Sequence, residues 1–158
     1  MKFTLRTLLA VCSLALAGTT LAEGKVADPS KFVTTHVSVT GAVEHSLNLS
    51  VDDLRKFPPQ QIGEVPLVCQ SGANMGKLEN FKGVLLRDIL EKAKVKAPEH
   101  NDVKKLAVIA SASDGYKVVF SWTEIFNSPN GEGVLVFFEK DGQPLADDEG
   151  RIAMVSTK

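Results

Sequence analysis

The chain has 158 residues, 44% of them hydrophobic, and 18 basic against 19 acidic side chains give a net charge of −1. That length suits one domain. The even charge balance argues against nucleic acid or an anionic membrane as partner, because no basic patch dominates.

In chain order, Lys2 and Arg6 make a basic start, and Leu8 to Ala17 is almost wholly apolar. Thr20 and Ala22 then stand at the two small positions of a cleavage site, so residues 1–22 read as a secretory signal peptide. The apolar run is short for a membrane span. The expected mature chain, residues 23–158, is exported to the periplasm or secreted, and keeps no membrane span. Loss of Lys2 and Arg6 without any acid leaves it at net −3, and it retains only Cys69 of the two cysteines. Exported proteins usually pair their cysteines, so a single thiol calls for an explanation.

After a polar lead-in over residues 23–32, the pattern is mostly β. Val33 to Thr40 alternates, Gly41-Ala42 turns, and Val43 to Leu49 returns, a hairpin with one buried face. Ser50 caps a short helix with Asp53 at its third position, and Pro58-Pro59 stops it. Gln60 to Cys69 reads as one strand region, opening onto a small-residue loop. Val84 to Lys94 reads as a helix, with Leu85, Leu86, Ile89, Leu90 and Ala93 on one face. Leu106 to Ala112 and Tyr116 to Phe120 read as strands about the turn Ser113-Asp114-Gly115. Ser121 and Glu124 form a second capping box, starting a helix whose Trp122 and Phe126 are expected in the core. Val134 to Glu139 is a strongly apolar strand, Asp141-Gly142 a hairpin turn, and Ile152 to Val155 the returning strand. The expected fold is a single α+β domain, a mixed β-sheet with two or three short helices.

Cys69 is the residue with the most chemistry. A thiolate suits a soft or high-valent metal that can reach it. The residues after it, Ser71, Gly72 and Asn74 among them, offer small side chains and backbone N–H groups where a phosphate or pterin can approach. The plainer reading is a buried small hydrophobe, the more frequent state of such a cysteine. Zinc fits badly, since no second cysteine remains and His36, His45 and His100 are isolated. His36 and His45 are placed to face each other across the first hairpin. Tyr116, the only tyrosine, starts a strand, where its hydroxyl can reach a bound oxyanion or simply act as an amphipathic edge residue.

Taken in order, five stretches resemble the molybdopterin-binding domain of the sulfite oxidase family. They are His36–Val43, Leu49–Leu54, Leu67-Val68-Cys69 with its loop, Phe81–Leu90, and Ala112–Tyr116 with the later Asp141–Leu145. Phe81–Leu90 is similar to the family's aromatic-x-Gly-Val-x-Leu-x-Asp-Leu-Leu signature, the most specific of the five. The resemblance spans the mature chain from His36 onward. It implies a fold of that type, with Cys69 as the protein's thiolate to molybdenum and Tyr116 beside the substrate pocket. It also implies a molybdenum–molybdopterin cofactor and oxo transfer to or from a small-molecule substrate. Electrons would pass to a separate electron-transfer partner, as the chain has no C-x-x-C-H haem motif and no iron–sulfur cysteine set. Two departures accompany the likeness. No arginine follows Cys69 in its loop, and the chain stops at Lys158, where the family adds a further strand. A cofactor-free periplasmic binding or sensory module on the same fold is the alternative.

Overall fold

The computed structural model describes residues 28–69 and 71–158, so the expected signal peptide lies outside the described residues. Strands β1 (His36–Val39) and β2 (Leu47–Ser50) pair antiparallel, Val37 opposite Leu49 and Val39 opposite Leu47. This is the expected hairpin, shorter at both ends. His36 lies opposite Ser50 and His45 stands outside the strands, so the two histidines do not face each other. Ser50 then caps α1 (Val51–Leu54). Its Oγ accepts the Asp53 backbone N–H at 3.3 Å, and Asp53 Oδ2 accepts the Ser50 backbone N–H at 3.2 Å. Leu54 is fully buried at its end.

Where one strand region was expected, two strands form with different partners. β3 (Gln60–Ile62) joins the main sheet, whereas β4 (Val65–Val68) pairs with β5 (Asn74–Leu78) in a separate ribbon. β5 is polar and glycine-containing, so its residues alone read as loop; backbone pairing to β4 makes it a strand. β6 (Phe81–Leu85) and α2 (Leu86–Ala93) divide the segment expected to be helical from Val84. Val84 and Leu85 pair with Val136 and Leu135, and Leu85 keeps an extended backbone as the helix begins. Their burial mimics a continuation of the helical stripe, which periodicity cannot separate from a buried strand.

β7 (Ala107–Ser111) and β8 (Lys117–Ser121) make a second separate ribbon. Ser121 caps α3 (Trp122–Phe126) through the expected box with Glu124. Trp122 and Phe126 are half-buried and stacked at 3.8 Å between ring centroids; the fully buried residue of α3 is Ile125. β9 (Val134–Lys140) then runs through the middle of the main sheet. β10 (Gln143–Pro144) follows the Asp141-Gly142 turn, and β11 (Ala153–Ser156) pairs further along the same edge of β9. The main sheet therefore runs β3, β6, β9, with β10 and β11 along one side of β9.

Alternation along β9 builds two cores. Val134, Val136 and Phe138 face Leu54, Ile89, Leu90 and Ile125, under α2 and α3. Leu135 and Phe137 face the other way, onto Ile62, Phe81 and Leu145. The Phe81 and Phe137 rings meet edge-on at 4.7 Å, a favoured aromatic geometry. Both faces of β6 and β9 are thus covered, which explains their nearly unbroken apolar sequence. At Gly83, an added Cβ would lie 2.2 Å from the Val136 carbonyl oxygen, so the strand crossing admits only glycine. Among the described residues, no helix is long and apolar enough to cross a membrane.

Candidate functional site

The β4–β5 ribbon presents Cys69 at its turn. The Cys69 N–H donates to the Ala73 carbonyl at 2.8 Å, and the Gly72 N–H donates to the Cys69 carbonyl at 2.8 Å. Gly72 takes a φ of +82°, the left-handed conformation that closes so tight a turn and that glycine adopts without a Cβ clash. Among the described residues, nothing stands within 4 Å of where its Cβ would be. Asn74 Oδ1 accepts the Gly76 N–H at 2.8 Å, which holds the start of β5. Ser71, Gly72 and Asn74 are all exposed, and so is Cys69. The cysteine is therefore not the buried small hydrophobe of the plainer reading. Phe81 and Leu85, apolar neighbours in sequence, are buried in the second core.

Tyr116 sits on the other ribbon. Its N–H donates to Asp114 Oδ1 at 2.9 Å and its carbonyl accepts the Ala112 N–H at 2.9 Å, a side-chain-closed turn that Asp-Gly chemistry favours. Its side chain is 68% exposed. Ser113, in the same turn, donates from Oγ to the Phe32 carbonyl at 2.5 Å and lies 3.1 Å from Thr34 Oγ1. The chain entering β1 is thereby tied to the tip of the β7–β8 ribbon. Cys69, Ser71 and Gly72 thus share one turn, with Asn74 opening β5 beside them, while Tyr116 lies at the turn of a different two-stranded sheet.

Among the described residues, no group of three or more His, Cys, Asp or Glu is arranged to hold a metal ion. His36 Nδ1 lies 3.0 Å from Thr35 Oγ1, and Arg87 Nε lies 3.9 Å from its neighbour Asp88.

A feature the sequence did not announce is a cleft of about 590 Å³ between the start of α1 and the loop after β10. Arg55, Asp52, Asp147 and Arg151 line its rim, and Phe138 and Leu145 lie beneath. Arg55 Nη1 is 3.2 Å from Asp52 Oδ1, and its Nε is 3.5 Å from Glu139 Oε2. Arg151 Nε donates to Asp147 Oδ1, which holds the Asp147 carboxyl below its ordinary range and raises Arg151. Arg55 and Arg151 are far apart in sequence, and no local pattern marks them as neighbours. Neither Cys69 nor Tyr116 lines this cleft.

With the geometry in place, comparison with known proteins is informative. The family described as "Oxidoreductase molybdopterin binding domain" matches residues 24–152. Among solved structures, the chain is similar to the sulfane dehydrogenase SoxCD from Paracoccus pantotrophus, with a TM-score of 0.54 and 20% identity. That superposition covers 82% of this chain and 34% of the SoxCD chain, so the chain spans about a third of that protein's length. At this identity the likeness concerns the fold. No curated protein matches the chain.

Proposed function

Because the chain belongs to the oxidoreductase molybdopterin-binding domain family, we propose that it is an exported domain of that kind whose bound molybdenum–molybdopterin supplies two-electron oxo transfer to or from a small substrate. The observation that carries this reading is the exposed Cys69 at a tight turn, within the residues that match the family. The fit is testable on the donor set. A single soft thiolate is the protein ligand such a group requires, and the thiol sits where a cofactor can reach it. Among the described residues, the space beside Gly72 leaves room for a flat heterocycle against the backbone, with Ser71 and Asn74 exposed on either side.

In this reading Cys69 surrenders its thiol proton on metal binding, as thiol ligands do. Ser71 Oγ and the turn's backbone hold the pterin, and Asn74, already braced against Gly76, fixes the loop. Tyr116 offers its hydroxyl as a hydrogen-bond donor to a substrate oxygen. Electrons pass to a separate partner protein when the substrate gains the oxo group, or come from one when the substrate loses it, and the site works in the periplasm or outside the cell, after the signal peptide is removed.

The test is metal analysis of the protein purified from its native exported fraction, beside Cys69→Ser. Stoichiometric molybdenum in the wild type, lost in the variant, is the expected result. Its absence from both samples, in a host that loads other molybdenum enzymes, sinks the proposal. A second reading, a cofactor-free binding module on the same fold, is favoured by one observation: the cleft between α1 and the loop after β10 is lined by neither Cys69 nor Tyr116. In that case molybdenum is absent and the Cys69→Ser protein keeps its ligand binding intact.

A further inference from the structure

The β7–β8 ribbon is a sheet of its own, so among the described residues each of its strands has one edge with no strand beside it. Its hydrogen-bond phase can be read from its two ends. The Ala112 N–H donates to the Tyr116 carbonyl at 2.9 Å, and the Trp122 N–H donates to the Leu106 carbonyl at 3.0 Å. In an antiparallel ladder bonded pairs alternate with non-bonded ones. Val108 with Phe120 and Ala110 with Val118 are therefore the bonded pairs between those ends. Ala107, Ile109 and Ser111 direct their backbone N–H and C=O groups away from β8, and Lys117, Val119 and Ser121 direct theirs away from β7.

The two edges differ. On β8 the Ser121 N–H is already taken by Glu124 Oε2 at 2.8 Å, and Lys117 places a charge beside the edge. Both features discourage strand addition. The β7 edge has neither. Ala107, Ile109 and Ser111 are exposed and uncharged, there is no proline or bulge, and their outward backbone groups have no partner among the described residues. Such an edge is a template for another strand.

We propose that β7 pairs antiparallel with β7 of a second copy of this chain, about a two-fold axis at Ile109. The edge is complementary to itself. With Ile109 opposite the second copy's Ile109, Ala107 stands opposite Ser111 at both ends, and every outward group of one edge meets an outward group of the other. The small residues at the ends leave the backbones free to approach. On the exposed face, Val119 and Ile109 of each copy then form one apolar row across the sheet β8–β7–β7–β8. Charge agrees with this register. Lys104 and Asp114 each lie five residues from Ile109, on opposite sides, so pairing brings Lys104 of one copy toward Asp114 of the other. Both are exposed, and neither has an ion pair among the described residues. A two-fold axis makes each such contact occur twice and closes the assembly at a dimer. One strand edge is a small interface, of the exchangeable class below about 1,200 Å², so the dimer dissociates on dilution.

The test is sedimentation velocity of the exported chain over a wide concentration series, with amide hydrogen exchange followed by NMR at each end of the series. A reversible monomer–dimer equilibrium is expected. The Ala107, Ile109 and Ser111 amides should gain protection as the dimer fills, while the Lys117 and Val119 amides should not. Ala107→Pro deletes one outward donor from each copy and no ladder bond, and Leu106, at φ −86° and ψ 144°, already has the extended backbone a following proline requires. It should weaken the dimer by about tenfold or more. Ile109→Lys, which sets like charges against each other on the axis, should abolish the dimer. Lys104→Glu should weaken it several-fold at low salt. A chain that stays monomeric throughout the series, protection that appears on β8 or elsewhere instead of on β7, or a dimer as strong in Ala107→Pro or Lys104→Glu as in the wild type overturns the assignment. Should Ile109→Lys misfold, Ala107→Pro and the amide pattern decide the matter alone. None of these readouts depends on molybdenum, so this inference and the redox reading stand or fall separately.

Discussion

The middle of the main sheet and the two outlying ribbons use similar residues to opposite ends. In β6 and β9 every apolar side chain is covered, Val84 and Val134 to 1% exposure. In the ribbons, Ile109 and Val119 face each other across the β7–β8 ladder at 64% and 63% exposure, while Val108 and Phe120 on the reverse side pack on the core. The β4–β5 ribbon likewise exposes Val68 and Met75, at 65% and 66%. Strand chemistry is the same in both places; the difference is whether a second layer lies above. The centre holds the molecule together, and the ribbons hold out Cys69 and Tyr116 on turns that cost little to reshape.

The sharpest way to break this contrast is to cut into the centre. Phe138→Ala removes a ring buried in the first core and the partner of the Arg55 guanidinium 5.9 Å away. Urea denaturation should show a loss of roughly 3–5 kcal/mol, the usual cost of so large a cavity. A loss as small as that of a surface change would mean that β9 is not central. On the ribbon, Ile109→Thr keeps a β-branched residue at an exposed ladder position, and the same measurement should move by no more than about 0.5 kcal/mol. A loss approaching that of Phe138→Ala would show that the outer face is covered.

The smallest effect concerns charge at the periphery. Asp53 is held well below the ordinary carboxylate range, first by its hydrogen bond from Lys56 and then by those from Ser50. A depressed folded value means stabilisation that is complete above the unfolded value, near pH ~4, and lost as pH falls through the folded one. Lys56→Met should therefore raise the Asp53 midpoint in a carboxyl-carbon NMR titration, though not to the ordinary value, since the Ser50 bonds remain. Added salt should shrink the Lys56 contribution, as both side chains are exposed. A midpoint unmoved by Lys56→Met would assign the shift to Ser50 alone.

Local chemistry was the legible part of this fold. Ser50 with Asp53 and Ser121 with Glu124 announced two helix starts, because each box closes within three residues. The turn at Asp114-Gly115 and the apolar run from Val134 were equally plain. The candidate site was legible only as far as the turn that carries Cys69, together with the family signature at Phe81–Leu90. Its exposure was not, since an apolar stretch such as Leu67-Val68 looks the same whether or not a layer covers it.

By itself, then, the sequence determined the caps, the turns, the strongly apolar strand that becomes β9 and membership of a molybdopterin-binding family. Only the tertiary structure decided that Val84 and Leu85 extend a strand, that Asn74–Leu78 is a strand at all, and that Arg55 and Arg151 line one cleft. The reason is range. Capping and turn bonds join groups a few residues apart and are written in adjacent letters. Strand pairing and cleft formation join groups tens of residues apart, and which of them meet is settled by what the whole chain can bury.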